Sequence, residues 1–213
     1  MMPAYVVCNG VTKSLRGRLV LDSVSFEVPR GAVCGFTGSN GSGKSMLFRA
    51  VTGLVRVEGG EISVSGIPVD RRKPYPVNLG LMLDASGYWD DLSGIDNLLA
   101  LAGVRRLVGE VEVRQALESV GLDPEDRRPT SAYSAGMRQR LAIAQAIMER
   151  PELLLLDEPT NALDVDGSAL VSEIIEEAVR QGATVLVSCH NQPQLEKRFD
   201  LHVHMSGGRA SLL

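Results

Sequence analysis

The chain has 213 residues, 44% hydrophobic and 23% charged, with a formal net charge of −4. That length buries a sizeable core in one large domain or a domain with a subdomain, and the acidic balance excludes a global basic field for nucleic acid. No apolar run reaches the roughly 18 residues of a membrane span, and Met1-Met2-Pro3-Ala4-Tyr5 lacks the parts of a secretion signal, so a cytosolic protein is expected.

The opening reads as strands. Tyr5-Val6-Val7-Cys8 predicts a short apolar strand and Asn9-Gly10 a turn. Residues 19–21 and 24–28 alternate like two strands with one buried face, and Pro29-Arg30-Gly31 turns the chain into a buried strand over 32–37. Next comes Gly38-Ser39-Asn40-Gly41-Ser42-Gly43-Lys44-Ser45, which fits the phosphate-binding pattern G-x-x-x-x-G-K-[ST]. Small residues let backbone N–H groups close around phosphate oxygens, and the helix that Met46 opens points its positive dipole end at them. Lys44 reaches the β- and γ-phosphates, and the Ser45 hydroxyl suits Mg²⁺. Residues 38–46 are therefore the expected nucleotide-binding segment.

Gly59-Gly60 precedes another strand over 61–64, ended by Ser65-Gly66, so the N-terminal strands predict an antiparallel layer on the nucleotide core. Arg71-Arg72-Lys73-Pro74 is a short exposed connection, and residues 79–83 return as a strand. From Ser93 to about Met148 the pattern turns helical. Leu98, Leu99, Leu101 and Ala102 mark one helix, and Val113, Ala116, Leu117 and Val120 a second, stopped by Gly121; a third runs from Ser134 to Pro151. Residues 153–157 form a fully buried strand, followed by a helix over 166–180, a strand over 184–188, a helix near 193–199 and a strand over 201–205. The expected fold is α/β: one domain over 1–213, with a mostly parallel core in about 1–75 and 150–213 and an inserted helical subdomain in about 76–149.

Beyond the loop, Asp157-Glu158 emerges from four leucines. An acid at that strand edge holds Mg²⁺ through its water shell, and the next carboxylate is placed to polarise an attacking water. His202 and His204 share one strand face; without a third ligand nearby an edge strand is preferred to a metal site. Cys8, Cys34 and Cys189 lack metal or redox spacing and read as buried hydrophobes.

In this order the motifs resemble the ATP-binding subunit of an ABC transporter over nearly the whole length. Tyr133-Ser134-Ala135-Gly136-Met137 is similar to the family signature, in the Tyr-Ser-x-Gly-Met form common among bacitracin- and lantibiotic-type exporters. Ser134 and Gly136 offer a hydroxyl and backbone N–H groups at a helix start, a helix cap and an anion site at once. The resemblance implies that this site faces the γ-phosphate held by a second subunit. It also implies that Asn161-Ala162-Leu163-Asp164 lies across a dimer interface and that His190 contacts the γ-phosphate. On this reading Lys44, Glu158 and His190 are catalytic, and Ser45, Asp157 and Asp84 serve Mg²⁺.

Two positions depart from the family pattern. Leu15 stands where an aromatic ring stacks on adenine, which weakens binding by about 1–3 kcal/mol; Tyr5, from the neighbouring strand, is a candidate substitute. Asp84 stands where glutamine is usual. The implied partners are a second ATP-binding subunit, identical or related, and a transmembrane permease, which would hold the chain on the inner face of the membrane; no nucleic acid is expected. Two other classes remain open: a soluble ABC-type ATPase working on DNA or translation, and a nucleotide-gated module with little turnover in an asymmetric heterodimer.

Overall fold

A computed structural model describes residues 4–83, 87–190 and 192–213. Two long strands open the chain, β1 (Ala4–Leu15) and β2 (Arg18–Pro29), paired antiparallel across Arg16-Gly17, both at positive φ. Next come β3 (Val33–Thr37), buried throughout, and α1 (Lys44–Val51). β4 (Gly59–Val64) and β5 (Ile67–Pro68) then complete an antiparallel sheet in the order β2-β1-β4-β5.

Within this layer two expected breaks are not breaks. Asn9-Gly10 lies inside β1, where the pairing with β2 slips between Cys8 and Val11 and Gly10 takes φ 60°. Likewise 19–21 and 24–28 belong to one strand, interrupted at Ser23 with φ 53°. One left-handed residue makes a bulge that bends a ribbon without ending it.

The second sheet begins with β6 (Leu79–Met82), followed by α2 (Gly94–Arg105), α3 (Glu110–Ser119) and α4 (Ala135–Ile147). Strands and helices then alternate: β7 (Leu153–Asp157), α5 (Val165–Arg180), β8 (Thr184–Ser188), α6 (Pro193–Glu196), β9 (Leu201–Ser206) and β10 (Arg209–Leu212). Their order is β10-β9-β3-β8-β7-β6, parallel except for the antiparallel β10. β10 escaped the sequence reading because its four residues carry little apolar signal; Gly207-Gly208, both at positive φ, turn the hairpin. In consequence β9 is not an edge strand. His202 and His204 lie between β3 and β10, where Nε2 of His202 and Nδ1 of His204 stand 2.8 and 3.4 Å from Thr37 Oγ1.

Helices α2 to α6 cover one face of this sheet, and α1 with the antiparallel layer covers the other. Along β7, Leu153 and Leu155 join a core with Val6, Val24, Phe36 and Phe48, whereas Leu154 and Leu156 join Leu98, Leu117, Leu141 and Ile175. Side chains alternate across a strand, so four consecutive leucines serve two cores.

Candidate active site

Three buried strands, β3, β8 and β7, run parallel and end on the same edge. From β3 the loop 38–43 leads into α1. Gly38 takes φ 142°, and a Cβ there would stand 2.2 Å from the Met205 carbonyl oxygen; at Gly43, φ 111°, it would stand 2.8 Å from Val20 O. Only glycine lets this backbone close so tightly. Lys44 is 4% exposed and folds back under the loop, its Nζ donating to Gly38 O (2.8 Å) and Ser39 O (3.4 Å). The α1 N-cap, Gly43, supplies no side-chain acceptor, so the first-turn N–H groups are left for an anion. Ser42 Oγ is buried with no hydrogen-bond partner among the described residues. A cradle of donors with an orphaned hydroxyl fits a phosphate chain.

Opposite the loop, Asp157 closes β7 and is 7% exposed. Ser188, the last residue of β8, donates from Oγ to Asp157 Oδ1 (2.5 Å) and accepts the Glu158 N–H (2.9 Å). Glu158 adopts φ 50°, a left-handed conformation that costs a non-glycine residue about 1 kcal/mol or more. Its Oε1 lies 3.5 Å from Lys44 Nζ, and its Oε2 accepts from Asn161 Nδ2 at 2.7 Å. Behind it, Gln139 of α4 donates from Nε2 to Glu158 O (3.1 Å) and Pro159 O (2.9 Å). Nearby, burial pushes the Cys189 thiol up to about 12.

Loop and carboxylates border one cleft of about 600 Å³. Of the residues singled out from the sequence, Asn40 to Met46, Asp157, Glu158 and Asn161 line it. Gly38 and Ser39 back the loop through the carbonyls that hold Lys44. The Ser45 hydroxyl and Asp157 carboxylate share the cleft and are the oxygen donors that a hard divalent cation takes.

Other expected residues lie elsewhere. Ser134 caps α4, accepting the Met137 N–H at 3.2 Å, and Gly136 packs on the loop after β7, where a Cβ would meet Ala162 O at 3.1 Å. His190 is exposed, two residues beyond β8. Leu15 is 51% exposed at the hairpin tip and does not line the cleft. Tyr5 cannot replace it: the ring is buried at the other end of β1, roughly 30 Å of strand away, with the Arg30 guanidinium 5.4 Å from its centroid. Asp84 lies outside the described residues; Leu83 before it lines the cleft.

Sequence reasoning missed Val20, Arg49 and Leu83 on the cleft wall, and Ser188 and Gln139 behind it. Ser188 carried a signal, a hydroxyl closing an apolar strand. Gln139 carried only a polar residue on the helix face shared with Ala142 and Ile143, whose partner is remote in sequence.

Comparison with known proteins agrees with this arrangement. Residues 21–161 match the family model described as ABC transporter. The uncharacterized ABC transporter ATP-binding protein YybJ of Bacillus subtilis (strain 168) is 35% identical over 93% of the chain and 91% of its own length. The lantibiotic transport ATP-binding protein SrtF of Streptococcus pyogenes is 36% identical over 90% of the chain and 82% of its own. Three further relatives are longer, the chain spanning 63–66% of each. Among solved structures, the dimeric bacterial ABC transporter cassette MJ0796 superposes with a TM-score of 0.87 at 19% identity, over 97% of this chain and 96% of that one. The strand order, the loop cradling Lys44 and the acids across from it thus have one source: the chain belongs to the ABC transporter family, as an ATP-binding, ATP-hydrolysing cassette.

Proposed function

We propose that the cleft between loop 38–45 and Glu158 is where ATP is split, and that two chains close on the nucleotide to do it. The observation that carries this reading is the Glu158 carboxylate held 3.5 Å from the Lys44 ammonium across the phosphate cradle. With a triphosphate in the loop, Lys44 turns its charge to the β- and γ-phosphate oxygens, and the backbone N–H groups of α1 hold the rest. Glu158, released from Lys44 and kept by Asn161, accepts a proton from the attacking water. The water oxygen bonds to the γ-phosphorus as the bond to the ADP oxygen breaks. Mg²⁺ at Ser45 and Asp157, with Asp84 as a further oxygen donor, would neutralise charge on the transferred phosphoryl group.

Ser134, exposed, and Gly136, half-buried, at the start of α4 would meet the phosphates bound by the second chain, and His190 would contact the γ-phosphate. The helices over 93–148, with the loop 84–91, are the proposed permease-docking face. Trp89 is 53% exposed there, and Asn97 holds its backbone by both N–H (2.8 Å) and carbonyl (3.1 Å). No helix among the described residues is long and apolar enough to cross a membrane, so the permease would supply the attachment to its inner face. Export as the direction rests on the Tyr-Ser-x-Gly-Met form of residues 133–137, and a relative named for lantibiotic transport supports a transport role.

One observation favours a weaker variant of this reading. Val20 and Leu83 supply apolar cleft wall but no aromatic residue does among the described lining, which suits loose adenine binding. Comparing Mg-ATP turnover of the native chain, with its membrane subunit, against Glu158→Gln tests both. Expected is native turnover, and in the variant a fall of about a hundredfold or more with ATP binding retained. Absence of native turnover would sink the motor reading and leave a gated module.

A further inference from the structure

The peptide that follows Glu158 is held on one side by a side chain of α4. Gln139 is 6% exposed and gives both Nε2 hydrogens to that peptide region, one to Glu158 O and one to Pro159 O. Glu158 O also accepts the Asn161 N–H at 3.1 Å, and Gln139 is the side chain that donates to both carbonyls among the described residues. From the other side, Ser188 Oγ takes the Glu158 N–H. A left-handed φ at a glutamate persists only where its surroundings over-determine it; here the two clamps sit on either side of the strained residue. Lower in the same loop, Ala162 is also left-handed, at φ 60°, and packs its carbonyl against Gly136. The loop 158–162 is therefore seated on the first two turns of α4 at two points.

From this we infer that Gln139 is a positioning residue for hydrolysis: it fixes the Glu158 main chain so that the carboxylate reaches across to Lys44. The inference rests on the proposed role of Glu158. Ser134 lies about 7 Å from Gln139 along the helix axis, on the same rigid element, so the helix start proposed to meet one ATP also sets the carboxylate that serves the other.

Two variants test it in the native assembly with the membrane subunit. Gln139→Met keeps the length and apolar stem but has no N–H. Gln139→Glu keeps the shape but has at most one hydrogen to give, and only when protonated, where the glutamine gives two. Both are expected to lower kcat by about tenfold or more while KM for Mg-ATP stays within about threefold, because the phosphate loop is untouched. Hydrogen exchange at the Asn161 and Leu163 amides, which bond to Glu158 O and Thr160 O, is expected to quicken in both. A merely structural glutamine would lower the melting temperature, leaving kcat of the folded protein native. If Gln139→Met fails to fold, Gln139→Glu decides alone. Native kcat in a folded variant overturns the inference. Should Glu158→Gln also turn over normally, the proposed role of Glu158 fails as well; loss of turnover in Glu158→Gln with native kcat in the Gln139 variants defeats only the positioning role.

Discussion

Asp157 and Glu158 are adjacent in sequence but are held by different means, and Ser188 serves both. Its hydroxyl donates to the Asp157 carboxylate and accepts the Glu158 N–H. Ser188→Ala would leave a buried carboxylate oxygen and a backbone N–H short of partners, a loss of about 1–3 kcal/mol. Chemical denaturation is expected to show that loss, and turnover to fall with it; a variant as stable as the native chain would remove Ser188 from the site. The cysteines behave differently. Burial raises the folded Cys34 and Cys189 thiols from an ordinary 9.0 to about 12 and raises Cys8 further. A thiol kept neutral in the fold stabilises it fully below about pH 9, and that contribution disappears as pH rises through about 12. Thiol titration under native conditions is expected to label none of the 3 cysteines, and all of them in guanidinium chloride. Fast labelling of the native protein would contradict their burial.

At the scale of elements, what was legible in the sequence was whatever is local. Loop 38–45 is contiguous, its glycines answer to contacts within one turn or to backbone beneath it, and its strand and helix flank it directly. Residues 153–157 announced a strand buried on both faces because both faces are apolar. Long-range pairings left no such mark. Nothing near Gln139 signals a carbonyl pair in the loop after β7, and Gly10 and Ser23 read as breaks because a bulge and a turn use the same residue types. Gly80 is another long-range case. A Cβ there would stand 2.1 Å from Ala146 O and 2.7 Å from the Pro151 ring, so β6 presses on the end of α4 with no room for a methyl group. Gly80→Ala is expected to destabilise by about 1–3 kcal/mol or more, since backbone and a proline ring must move. Thermal melting checks it; an unchanged midpoint would mean that this contact is looser than drawn.

On the scale of the whole molecule, the question is how two copies of an acidic chain, each of net charge −4, come together around a polyanion. Long-range repulsion opposes it at low salt, so nucleotide must supply directed contacts, and the start of α4 is where the proposed scheme puts them. Ser134 has two roles there that a single substitution can separate. As a cap it accepts the Met137 N–H, and aspartate caps as well as serine while favouring the positive helix end. As a phosphate contact it needs a neutral hydroxyl, and a carboxylate facing a γ-phosphate repels it by several kcal/mol: about 4 kcal/mol for a unit pair at ~4 Å and an effective dielectric of ~20. Ser134→Asp, placed in a Glu158→Gln background so that ATP is not consumed, is therefore expected to melt at or above the parent's temperature. In light scattering with Mg-ATP the parent is expected to form dimers and the Ser134→Asp variant to stay monomeric. A variant that dimerises as readily as its parent would show that Ser134 does no more than cap its helix, and would remove the start of α4 from the nucleotide interface.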